Sequence, residues 1–221
     1  VTSLGAHRVE TAGWALDCVV AGSQKAFMTP PGLAFLSLGP RARARLESNP
    51  TPRYYFDLGR ALQAAPRGQS PWTPAISLVM GLERGCRRIL DEGLENVWAR
   101  HQALAQAVRA GVHALGLRLV ARNPSNAVTA VYLPEADAVR ETLWKQYGIK
   151  VAGGQDQLKG KIVRIGHLGA FEPADIVLLL GAFEAALRRH GHAAAAGAAL
   201  AAAEPFLTGA GLGRGWVRIL D

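Results

Sequence analysis

Two apolar, β-rich runs, WALDCVVAG (14–22) and GLAFLSL (32–38), are separated by the segment 23–31, which closes on Pro30-Pro31. No other feature restricts the fold as much. Runs this nearly unbroken in apolar residues read as strands covered on both faces, as in a buried sheet. Two prolines and a glycine cannot extend either strand, so 23–31 is predicted to be a loop at the carboxyl end of the first. That loop carries Lys25, at the edge where open α/β sheets bind ligands. Spacing alone leaves Lys25 two roles: the solvated end of a strand, or an amine nucleophile able to hold a carbonyl group as a Schiff base.

Downstream, GPRARARLES predicts a short surface helix, and 48–74, rich in Pro, Gly, Asn and Ser around Tyr54-Tyr55-Phe56, predicts loop. From Pro74 the residues Ile76, Val79, Met80 and Leu82 fall on one helical side. Gly93 interrupts, and a second helix is predicted from Leu94 to about Leu115. Two strands, LRLVA and AVTAVYLP, split by the turn RNPSN, then precede a helix from Ala136 to Tyr147, a strand around KIVRIGHLG, and a helix from Pro173 to His190. This order describes a compact α+β unit. The tail is almost pure alanine from Ala193 to Ala203 and glycine-rich beyond Pro205, which predicts a marginal helix or a disordered extension without a function of its own. The expected divisions are 1–80, 81–192 and 193–221.

The chain has 221 residues, 49% of them hydrophobic, enough to bury a core. Its formal charge is +8, but the arginines are scattered without interleaved aromatics. The densest group, Arg41 to Arg45, falls on a predicted surface helix as a solvated face, so no nucleic-acid partner is expected. No apolar run is long and uncharged enough to cross a bilayer, so no membrane partner is expected either. Cys18 and Cys86 lie far apart without CxxC spacing, which suggests reduced thiols in a cytoplasmic protein, with Cys18 packed inside its strand. The histidines are too dispersed for a metal site. The chain opens at Val1 with neither an initiator methionine nor a leader, and that start reads as cut.

The stretch DCVVAGSQKAFMTPPGLAFLSL closely resembles the cofactor-attachment site of class V aminotransferases, in particular the alanine-glyoxylate and serine-glyoxylate aminotransferase group. VTSLGA, SPWTPAISL, EGLENVWARH and AGGQDQLKGKIVRIGHLG resemble blocks of the same family in the same order, over about residues 1–190. The resemblance implies an α/β protein of the pyridoxal-phosphate-dependent transferase fold type I. A large domain with a mostly parallel sheet would be present in part, followed by a C-terminal α+β small domain, in a homodimer with composite active sites. The implied cofactor is pyridoxal 5'-phosphate and the implied substrates are a small amino acid and a 2-oxo acid such as glyoxylate.

Residue by residue, the resemblance assigns the Schiff-base lysine to Lys25, which would both anchor the cofactor and move the substrate proton. Gln24 matches a position beside the cofactor, Val1 the apolar residue under its ring, and Thr73 a hydroxyl near the phosphate of the neighbouring subunit's cofactor, a place that Trp72 fits as well. Arg164 matches the arginine that binds the substrate carboxylate, a task suited to a planar guanidinium fork. His167, next on that strand, reads as a packed histidine. The family aspartate that bonds the pyridine nitrogen would stand two places before Val1, and the phosphate-binding loop and the stacked aromatic also lie upstream. The chain alone is therefore expected to be inactive. A desulfurase of the same fold is disfavoured, since Gln24 stands where those enzymes place a histidine and neither cysteine is on a suitable loop. A lyase on the same cofactor, or a non-catalytic dimerisation remnant, stays open on these motifs.

Overall fold

The computed structural model describes residues 2–208. Val1 and 209–221, the end of the alanine- and glycine-rich tail, lie outside the described residues. Strands β1 (Cys18–Gly22) and β2 (Ala34–Leu38) pair antiparallel, Cys18 opposite Leu38 and Gly22 opposite Ala34. Among the described residues they pair only with each other, and Val20 and Leu36 are 45% and 46% exposed. The expected strand covered on both faces is thus corrected. A two-stranded ribbon leaves both faces open, whatever its apolar content. Cys18, expected to pack inside, is exposed for the same reason. Among the described residues no two strands run parallel, so the mostly parallel sheet of the resemblance is represented here by that ribbon alone.

Helix α1 (Pro40–Glu47) begins where GPRARARLES predicts, with proline in its first turn. The stretch 48–74, expected to be loop, also contains a helix, α2 (Leu58–Ala64). Asp57 caps it, with Oδ1 accepting from Gly59 N at 2.8 Å and Arg60 N at 3.4 Å. The flanking prolines and glycines obscured this short element. Helices α3 (Ile76–Glu92) and α4 (Leu94–Ala114) are separated by Gly93, whose φ of +84° suits glycine and ends the first helix sharply.

Helix α4 packs under an antiparallel sheet in the order β3 (Arg118–Leu119), β4 (Val128–Tyr132), β6 (Ile162–Gly166), β5 (Ala152–Gly153). Of the predicted strand LRLVA the strand proper is Arg118–Leu119, and Val120 N adds one further bond to Ala130 O at 2.9 Å. Helices α5 (Ala136–Tyr147) and α6 (Pro173–Arg189) complete the layer. Val131, Val163 and Ile165 of the sheet meet Leu104 and Val108 of α4, Val139 and Leu143 of α5, and Phe183 and Leu187 of α6 in one buried cluster. Strand alternation puts Arg164 on the opposite, half-buried face, flanked by Ala130 on β4 and Ala152 on β5. No helix among the described residues is long and apolar enough to cross a membrane.

The alanine tail forms a packed helix, α7 (Ala198–Leu207), with Ala199 and Ala203 fully buried. A Cβ on Gly111 of α4 would stand 3.1 Å from Ala199 O and 2.9 Å from the Leu180 methyls, so glycine and alanine are what let these backbones approach. Glu184 of α6 is 7% exposed and accepts from Gly197 N at 2.7 Å and Ala199 N at 3.1 Å. A neighbouring helix thus supplies the cap that Gly197, lacking a side chain, does not.

Two buried histidines fasten loops to this layer. His101 Nδ1 donates to Val97 O at 2.7 Å, and its Nε2 accepts from Gly169 N at 2.9 Å. His167 Nδ1 donates to Asn126 O at 3.0 Å, and its Nε2 accepts from the Thr129 hydroxyl at 2.8 Å. Both arrangements require neutral imidazole. Burial is the largest cause lowering both pKa values to about 4, with Arg100 adding to the effect at His101 and Arg109 at His167.

Two predictions follow from this packing. Glu184→Ala should lower stability by about 1–3 kcal/mol, read from the urea midpoint, because the buried Ala199 amide and the partly buried Gly197 amide lose their acceptor. Between pH 6.5 and about 4 the unfolded histidines bind protons that the folded ones do not, so stability should fall as pH falls, by up to about 1.4 kcal/mol per pH unit for each. Urea titrations at pH 7 and pH 5 measure this, and a flat profile would contradict the neutral buried pair.

Candidate active site

The loop after β1 is built around Ser23, fully buried at its base. Ser23 Oγ donates to Pro30 O at 2.7 Å and accepts from Leu33 N at 3.3 Å, while Thr29 N donates to Ser23 O at 3.1 Å. One small side chain therefore closes the loop on itself. Inside it Met28 N donates to Lys25 O at 3.0 Å, and Met28 holds φ at +58°, a region that costs a bulky residue energy. Phe27 packs edge-on against Phe35 of β2 at 5.0 Å. Gly85 of α3 admits the Phe27 carbonyl, which a Cβ would meet at 2.3 Å. Lys25 is half-buried on this rigid turn.

Ala26 is buried with Ala6 and Ala127, and Leu168 packs against this cluster. A Cβ on Gly5 would come within 2.8 Å of Ala26 Cβ, so the segment 2–7, which forms turns here, lies directly on the lysine loop. His7 Nε2 accepts from Asn126 N at 2.7 Å and lies 3.1 Å from Ser125 Oγ. Burial and then the Arg109 charge lower its pKa. Arg109 donates to Ser125 O at 2.8 Å and Asn126 Oδ1 at 3.1 Å, holding the same loop from α4.

A cleft of about 460 Å³ opens beside the lysine. Gln24, Lys25 and Met28 form one wall, Leu168 to Phe171 the other, and Asp175 of α6 closes one end. Gln24 is exposed and folds its Oε1 back over Gly22, where a Cβ would stand at 2.7 Å. Gly169, with φ at +82°, lies against the lysine turn: a Cβ there would meet Met28 Cγ at 3.2 Å and Lys25 O at 3.5 Å. Two consecutive residues of α4 hold this second wall. Arg100 Nη1 donates to Gly169 O at 3.0 Å and Phe171 O at 2.9 Å, and His101 receives Gly169 N.

Of the residues singled out from the sequence, Lys25 and Gln24 come together in the cleft. Arg164 does not line it; it stands on β6, three residues before His167, with Nε donating to Gly153 O at 2.7 Å. Thr73 is exposed in the coil before α3, and Val1 lies outside the described residues. His167 is packed and hydrogen-bonded, as read. Neither cysteine lines the cleft; Cys86 is half-buried on α3, and burial pushes its thiol pKa up. Sequence reading passed over Ser23, His7, Arg100, His101 and Arg109. Arg100 and His101 carried a usable signal, since two adjacent polar residues sit on the apolar stripe formed by Val97, Leu104 and Val108.

Comparisons with known proteins identify the family of the chain. The family model for aminotransferase class-V matches residues 1–166. The chain is 43% identical over 213 residues to the small subunit of soluble hydrogenase from Synechococcus sp., covering 94% of this chain and 56% of that one. It is 41% identical over 180 residues to L-aspartate–glyoxylate aminotransferase from Paracoccus denitrificans, covering 79% and 46%. The crystal structure of pyridoxamine-pyruvate aminotransferase from Mesorhizobium loti superposes with a TM-score of 0.86 at 33% identity, over 92% of this chain and 55% of that one. The chain thus spans about half the length of the relatives it matches. With the family model on most of its length, and the lysine loop, cleft and sheet arranged as described, the chain belongs to the class V aminotransferases, pyridoxal-phosphate enzymes of fold type I.

Proposed function

We propose that this chain supplies the cofactor-anchoring and carboxylate-binding residues of an aminotransferase that moves an amino group from a small amino acid, alanine or serine, to a 2-oxo acid such as glyoxylate. The observation that carries this reading is the setting of Lys25: a half-buried lysine on a loop locked by Ser23, lining a cleft. The glyoxylate acceptor is supported by the sequence resemblance and by the Paracoccus relative, whose name states the same acceptor.

The cleft lining suits the aldehyde end of pyridoxal 5'-phosphate. It offers one primary amine, a neutral amide at Gln24, one carboxylate at Asp175, and apolar contact from Met28, Leu168 and Phe171. When bound, the cofactor supplies the carbonyl that accepts the amino group and the electron-withdrawing ring that acidifies the substrate Cα–H. Lys25 Nζ has two tasks in this reading. It would hold the cofactor at its carbonyl carbon and would take the proton from the substrate Cα. Arg164 takes the substrate carboxylate. Its bond to Gly153 O sets the plane of the guanidinium, and the open face of β6 is the side on which it would present its Nη pair. For Thr73 the proposal is a hydroxyl toward the cofactor phosphate of a second copy in a homodimer.

Incubating the full chain with pyridoxal 5'-phosphate and cyanoborohydride, followed by peptide mapping, should place the label on Lys25, and Lys25→Ala should abolish it. Labelling spread evenly over the lysines would refute the anchor. Arg164→Lys should weaken equilibrium binding of the amino donor to the cofactor-loaded chain about 10- to 100-fold, the worth of a charge-assisted bond, while Lys25 labelling stays unchanged. Unaltered donor binding would remove Arg164 from the substrate site.

A further inference from the structure

We propose that Arg100 and His101 are positioning residues for Lys25, acting through the Gly169–Phe171 loop; this rests on the reading of Lys25 as the reactive amine. Arg100 is almost wholly buried, its side chain 4% exposed and that of its partner Glu92 9% exposed. The pair is bidentate, with Nε to Glu92 Oε1 at 2.6 Å and Nη2 to Oε2 at 2.9 Å. Glu92 is the last residue of α3, where a carboxylate opposes the helix dipole. A buried ion pair is weak evidence for a stabilising role, because apolar residues of similar size often serve the fold as well.

What the apolar alternative would lack is the remaining nitrogen. Arg100 Nη1 crosses to the loop after β6 and holds the Gly169 and Phe171 carbonyls, while His101 holds the Gly169 amide. Both backbone polar groups of Gly169 are therefore committed to α4. Gly169 is also the point of contact with the lysine turn, and a Cβ there would already press on Met28 Cγ at 3.2 Å. The same Cβ would stand 3.5 Å from Lys25 O and 4.0 Å from Ala26 Cα, so a shift of this loop reaches the backbone that carries Lys25 as well as the Met28 side chain. Ala170 and Phe171, on the same loop, line the cleft together with Lys25.

The test compares the full chain with the double variant Glu92→Leu/Arg100→Met and with Arg100→Lys. Each is labelled with pyridoxal 5'-phosphate and cyanoborohydride, and the rate at Lys25 is divided by the rate at Lys145, a 69% exposed amine on α5 that serves as internal reference. The double variant leaves no unpaired charge but takes the donor from two carbonyls, so its Tm should fall; its ratio should fall about tenfold, as expected when a reacting group loses its fixed position, whereas Glu184→Ala, destabilised at α7 instead, should keep the parent ratio. Arg100→Lys keeps a cation beside Glu92 but lacks the planar fork, so its ratio should fall even where its Tm holds. If the ratio tracks Tm across the variants, or stays at the parent value, the two residues are structural and the proposal is wrong. Should the double variant fail to fold, Arg100→Lys decides by the same ratio. A parent chain with no preference for Lys25 would instead overturn the reading of Lys25 itself.

Discussion

Both backbone polar groups of Gly169 end on α4, the carbonyl on Arg100 and the amide on His101, and the rest of the site is assembled around that fixed point. The glycine has no side chain to hold it and sits at positive φ, so its place is set by what bonds its main chain. Against it lies the lysine turn, fixed at its own base by Ser23. Between them the buried alanines Ala6, Ala26 and Ala127 keep three segments within van der Waals reach. Small residues and backbone bonds therefore set the shape of the cleft, and the larger side chains furnish its lining.

The fold of residues 74–190 was legible because its signals are periodic and local. The apolar spacing in α4 and α6, the proline at the start of α6 and the glycine between α3 and α4 each state a boundary in chemical terms. Helix α2 escaped because its evidence is a single capping Asp57 in a field of loop-forming residues. Helix α7 was undervalued because alanine buries little area by itself. Its packing depends on Gly111, some ninety residues earlier in the chain, and on Glu184 of the preceding helix, which no helical spacing connects to it.

The site was legible in part, for the same reason. Lys25 stands out because prolines interrupt two apolar runs beside it, and Arg164 because a guanidinium in an apolar strand needs a partner. The residues that hold the site bond main chain far off in sequence: Arg100 to the loop at 169–171, Arg109 to the loop at 124–126 and His7 to Asn126. A sequence displays side-chain types, whereas these roles are defined by carbonyls and amides that every residue possesses. The exposed faces of β1 and β2 show the converse limit, since an apolar run records a tendency to be covered without naming what covers it.

Lys25 is the sole lysine of the first 144 residues; the others, Lys145, Lys150, Lys159 and Lys161, lie on α5 and the segments around β5. The positive charge elsewhere in the chain is carried by arginine, whose guanidinium stays protonated and does not condense with aldehydes under the conditions in which an amine does. Composition thus acts as a filter ahead of geometry: an aldehyde that meets the lysine loop and its surroundings encounters many cations but a single side-chain nitrogen with which it can form a covalent bond.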